Sequence, residues 1–102
     1  FLAPFFQSFY SDGDLINGIQ HVALNTPSRI LNLSLGALNR SGDSVLDRLV
    51  DDLADDYGLT IIVAAGNSGN QGLGSPGNAF NVITVGAMNT QGTLSRTDDT
   101  VA

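Results

Sequence analysis

Ten residues constrain the chain more than any others: Thr60-Ile61-Ile62-Val63-Ala64-Ala65-Gly66-Asn67-Ser68-Gly69, an apolar β-branched run that stops in small residues and ends on an amide. A run this rich in Ile and Val reads as a strand covered on both faces, as in parallel sheets. It delivers Asn67 to a loop. Ala64, Ala65 and Gly66 leave room for a group outside the chain to approach the backbone closely. An Asn held at the rim of such a clearing can aim its NH2 at an oxygen that gains negative charge during a reaction, as oxyanion-hole donors do. The other reading of Asn67-Ser68-Gly69 is a turn that merely reverses the chain.

Periodicity organises what lies on either side. Leu15, Ile16, Ile19, Val22 and Ala23 fall on one stripe of a helix expected over about Gly13 to Asn25, capped by Asp12 or Ser11 and stopped at Thr26-Pro27-Ser28. His21, the only histidine, falls nearly opposite that stripe, on the solvent side. A strand follows at about Arg29 to Leu35. A second helix is expected from about Asp43 to Tyr57, its apolar stripe made by Val45, Leu46, Leu49, Val50, Leu53 and Tyr57 and its polar face by Asp47, Arg48, Asp51, Asp52 and Asp55. Gly58 fits the left-handed residue that ends helices. The strand over Thr60 to Ala65 then closes a strand-helix-strand unit with a right-handed crossover. Asn67 to Phe80 reads as a glycine-rich surface loop bordering the site, and a third strand lies within Ser75 to Ala87, introduced by a Pro-Gly turn. The fold class is α/β: a partial doubly wound parallel sheet of about three strands and two helices.

Three motifs in this order resemble the subtilisin-like serine peptidases, the subtilases: Asn32-Leu33-Ser34-Leu35-Gly36, Ala64-Ala65-Gly66-Asn67-Ser68-Gly69 and Val82-Ile83-Thr84-Val85-Gly86-Ala87. The likeness covers residues 11–102, as the central part of a catalytic domain; the tail Gly92 to Ala102 looks like the approach to the family's next strand, and the aromatic-rich residues 1–10 have no place in it. The resemblance implies that Asn67 donates a hydrogen bond to the tetrahedral oxyanion. It also implies that Ser34, Leu35 and Gly36 form one edge of the substrate cleft, pairing main chain to main chain with an extended substrate, and that Ala64, Ala65 and Gly66 form the other wall of the primary specificity pocket. The family works with an Asp, a His in His-Gly-Thr-His and a Ser in Gly-Thr-Ser. None of these motifs occurs here.

Composition narrows the partners. The 102 residues carry a net charge of −6, with all ten acids Asp and all four bases Arg, so no basic patch suits nucleic acid or an anionic membrane. Zero cysteine excludes a disulfide scaffold and thiol chemistry. No apolar run approaches the ~20 residues that span a bilayer, and Phe1-Leu2-Ala3-Pro4-Phe5-Phe6 lacks the basic leader and length of a signal peptide.

Two patterns are decoys. Gly72-Leu73-Gly74-Ser75-Pro76-Gly77 spells a dinucleotide fingerprint but leads into a strand rather than a helix. Asp51-Asp52 with Asp55-Asp56 reads as a solvated acidic face, since Ca2+ takes six to eight oxygens largely from loops. The family often binds calcium, yet no residue here is assignable as a ligand, and no cofactor is identified. The expectation is a fragment of a secreted subtilisin-like serine endopeptidase, inactive alone because it lacks the triad. Its partners are a peptide or protein substrate and the remainder of the peptidase domain. The alternative is a non-catalytic module that binds extended peptide in a subtilase-like cleft.

Overall fold

The computed structural model describes residues 12–36, 42, 44–67 and 69–102. The aromatic-rich segment 1–10, Ser11 and Asp43 therefore lie outside the described residues. The helix α1 spans Asp12–Asn25, the strand β1 Ile30–Leu33, the helix α2 Val45–Tyr57, and β2 Thr60–Ala64. A 3-10 turn at Gly69–Gln71 precedes β3, Ile83–Val85. Parallel pairing in the order β1-β2-β3 makes one sheet, in register Ile30 with Thr60 and Leu33 with Val63, then Ile62 with Ile83. Two further strands, β4 (Met88–Asn89) and β5 (Thr100–Val101), form an antiparallel pair that no hydrophobic alternation announced. The α/β architecture of two helices and a three-stranded parallel sheet is as the sequence predicts.

Both helices pack on one side of the sheet. Leu15, Ile19 and Ala23 of α1 meet Leu46, Val50 and Leu53 of α2 over Leu31, Leu33, Ile61 and Val63, with Leu59 joining them, and each is at most 7% exposed. Burying one such side chain contributes about 1.5–3 kcal/mol, so this cluster is the main source of stability. His21 is exposed, on the face away from the core, as its helical position requires. Gly58 ends α2 in the left-handed conformation, at φ 63° and ψ 32°.

The other side of the sheet differs from expectation. Ile30, Ile83 and Val85 are more than half exposed and Ile62 is only half-buried. The strands are thus covered on one face, not two; β-branched residues stand on both faces, and the described residues bring helices to only one of them.

The polar face of α2 needs a larger correction. Asp47 is fully buried rather than solvated. It is the third residue of the helix and forms a capping box with Ser44: the Asp47 amide donates to Ser44 Oγ at 3.2 Å, and the Ser44 amide donates to Asp47 Oδ2 at 3.1 Å. A carboxylate there also complements the positive end of the helix. One turn on, Asp51 is half-buried, while Val45 and Tyr57, assigned to the apolar stripe, are exposed. The stripe is rotated toward Leu46, Leu49, Val50 and Leu53, because Asp47 takes an inward position.

Candidate functional site

Parallel strands end on one side of a sheet, so whatever follows them collects there. Here that rule joins three separate stretches of chain. Ser34, Leu35 and Gly36 after β1, Ala64 to Asn67 at the end of β2, and Val85, Gly86 and Ala87 at the end of β3, together with Gly74, line one groove of about 340 Å³. Every residue singled out from sequence (Asn67, Ser34, Leu35, Gly36, Ala64, Ala65 and Gly66) is on its wall. Gly74, Val85, Gly86 and Ala87 were not singled out. The last three close the third motif, which was the available signal; Gly74 has no side chain to leave a pattern.

Small residues set the shape of this groove. A methyl group built on Gly86 would lie 3.6 Å from Ala65 Cβ, an ordinary contact, so the β2 and β3 walls already stand close together there. Gly66 has φ +93°, a conformation that a side chain strains even where space is open, and nothing lies within 4 Å of where its Cβ would be. Its backbone turn swings the chain away from the line of β2 and sets Asn67 at the rim, where it is exposed. No described residue accepts or donates a hydrogen bond to the Asn67 side chain, so its amide is available to a group from outside. Ser34 Oγ, by contrast, accepts from Asn32 Nδ2 at 3.3 Å.

The segment between the 3-10 turn and β3 is not wholly a surface loop. Ser75, Pro76 and Gly77 are buried, with a cis peptide bond between Ser75 and Pro76. Gly77 is closely packed: a Cβ would fall 3.0 Å from the Ala64 carbonyl oxygen and 3.1 Å from that of Gly74, so a side chain would push on backbone. The Thr84 hydroxyl donates to the Gly77 carbonyl and ties this segment to β3. The dinucleotide-like pattern over 72–77 therefore packs against strand ends and opens no helix.

Charged chemistry is sparse at the groove. None of the described residues that line it is ionisable. His21, on the exposed face of α1, is within 3.4 Å of Asn25 Nδ2 and does not line it. Among the described residues no three His, Cys, Asp or Glu side chains cluster as a metal site, and no helix is long and apolar enough to cross a membrane. The groove can bind main chain, accept a side chain and offer one amide donor.

The sequence profile of the subtilase family matches residues 4–100. The chain belongs to the subtilase family. It is similar to the serine protease AprX of Bacillus subtilis, 42% identical over an 82-residue alignment that covers 74% of this chain and 18% of that one. The thermostable alkaline protease of Halalkalibacterium halodurans is 37% identical over 70 residues, covering 69% of this chain and 19% of its own. Among solved structures, the prenylagaramide maturation protease PagA superposes with a TM-score of 0.68 at 32% identity, over 83% of this chain and 31% of that one. The subtilase chain described here thus spans less than a fifth of those two relatives and under a third of that structure.

Proposed function

We propose that these residues are the central part, 11–102, of the catalytic domain of a secreted subtilisin-like serine endopeptidase. The observation that carries the proposal is the convergence of three strand ends on one groove, with the Asn67 amide at its rim and no partner for it among the described residues. In this reading an extended peptide lies along Ser34 to Gly36, which continue β1 beyond its pairing with β2, and hydrogen-bonds main chain to main chain as an added strand would. One substrate side chain enters between Ser34 to Gly36 and Ala64 to Gly66. The scissile carbonyl then sits near Asn67, whose side-chain N–H donates to the oxygen as attack turns it into an oxyanion. Such a donor accelerates reaction because it binds the developing charge more strongly than the ground-state carbonyl.

The nucleophile and base come from outside these residues, so the 102-residue chain is inactive by itself and works with the remainder of the peptidase domain. Secretion is part of the same reading and rests on family likeness. The experiment is Asn67→Ala in the full-length protein. The expected outcome is a kcat lowered by roughly 10²–10³ with KM nearly unchanged, the size of effect known for loss of an oxyanion-hole donor in a subtilisin. An unchanged kcat would return Asn67 to a turn residue, whereas a full-length protein with no hydrolysis at all would favour the peptide-binding module.

A further inference from the structure

Among the described residues the groove has no charged lining, yet a fully buried carboxylate lies just behind it. Asp47 lies on α2, outside the proposed chemistry. Its Oδ1 accepts from the Ser75 hydroxyl at 2.6 Å, across 28 positions of sequence, and its Oδ2 accepts from the Ser44 hydroxyl at 2.8 Å in addition to the Ser44 amide. Ser75 is 1% exposed and Asp47 0%. Buried carboxylates persist where their oxygens are satisfied, and here the satisfaction comes partly from a loop residue rather than from the helix alone.

What that loop touches gives the bond its meaning. The Ser75 carbonyl oxygen lies 3.4 Å from where a Gly36 Cβ would be, Gly77 rests against the Ala64 carbonyl, and Gly74, one residue before Ser75, lines the groove. The segment is therefore wedged between the β1 wall and the β2 wall. A second carboxylate, one helical turn further along α2, holds its other end: Asp51 Oδ1 accepts from the Asn81 amide at 2.7 Å and Oδ2 from the Phe80 amide at 3.2 Å.

We infer that Asp47, with Asp51 as a weaker second point, is a positioning residue that clamps the 74–81 segment to α2 and thereby fixes the separation of the groove walls and the size of side chain admitted. This deepens the proposed function and rests on the groove being the primary pocket. Asp47 acts through Ser75 and the backbone around it and touches no substrate. Its bond is buried, whereas the Asp51 bonds are exposed to water, so the two points differ in strength.

The test uses the full-length protein with Asp47→Asn, Ser75→Ala, Asp51→Asn and, as a control for general destabilisation, Leu53→Ala. Two quantities are read. The first is amide hydrogen exchange across 74–79, where the Asn78 amide donates to the Gly74 carbonyl and the Ala79 amide to the Pro76 carbonyl. The second is the ratio of affinities for two peptides that differ only in whether a large or a small side chain enters the groove. Asp47→Asn and Ser75→Ala should raise exchange at 74–79 and change the affinity ratio by about tenfold, the usual weight of one hydrogen bond to a charged group. Asp51→Asn should change it by less, and Leu53→Ala should leave it as in the parent protein. A ratio that survives Asp47→Asn, or moves equally in Leu53→Ala, overturns the clamp. A parent protein that does not discriminate between the peptides breaks instead the reading of the groove as a primary pocket, and the clamp's role in selection falls with it, while the exchange data still report whether Asp47 holds the loop.

Discussion

The two faces of the parallel sheet are built from the same strands and similar residues but have opposite fates. On the helix side, Leu33, Ile61 and Val63 are at most 2% exposed. On the other, Ile30, Ile83 and Val85 are 67%, 56% and 55% exposed. Strand composition thus encodes an intention to be buried on both sides, while actual burial depends on what the rest of the chain supplies. Among the described residues no helix covers this β-branched face, which is where the proposed reading expects the rest of the peptidase domain to pack.

The largest effect separating the faces is expected from Leu33→Ala in the 102-residue chain. Removing a buried Leu costs about 2–5 kcal/mol, a substantial part of the 5–15 kcal/mol typical of a whole domain. A urea midpoint that hardly moved would mean that the helices do not pack on β1 as described. A smaller loss should follow Ser44→Ala, which removes the α2 cap and one partner of the buried Asp47; caps contribute about 0.5–2 kcal/mol, read as a lower melting temperature. The smallest effect belongs to the open face. Ile83→Thr should change monomer stability by no more than about 0.5 kcal/mol, as exposed substitutions do, and should reduce self-association in sedimentation velocity. If it costs as much as Leu33→Ala, that face is covered in solution and the contrast is lost.

Much of this contrast was invisible before the structure, for physical reasons. Covered helices reveal themselves by a stripe, and those of α1 and α2 placed Leu15, Ile19, Val50 and Leu53 correctly. The run Thr60-Ile61-Ile62-Val63 of β2 carries no alternation, so nothing distinguished Ile61 from Ile62. At the groove, Ala64 to Asn67 could be read because they end an apolar run, and Ser34 to Gly36 through the family resemblance; Gly74 could be read by neither. Asp47 misled for another reason. At one helical turn from Asp51 it looked like half of a solvated acidic row, and its partner Ser75 sits in a stretch of Gly, Ser and Asn without helical or strand period. Ser44-Val45-Leu46-Asp47 was the overlooked clue, since a Ser followed three residues later by an acid is a helix-start pattern that turns that acid back toward the chain.

The spatial order of the strands repeats their order in the chain. Each pairing is nonetheless remote: Ile30 meets Thr60 thirty positions on, and Ile62 meets Ile83 twenty-one positions on. Parallel sheets of this kind assemble slowly, because chain entropy is lost before any contact repays it. During synthesis, however, the order has an advantage. As the chain emerges, every new strand can dock on an edge already laid down, without threading past an earlier one, and α2 can form locally in the interval and draw the two ends of the first crossover together. These three strands are laid one beside another in chain order, and each newest edge is the one that invites the next strand.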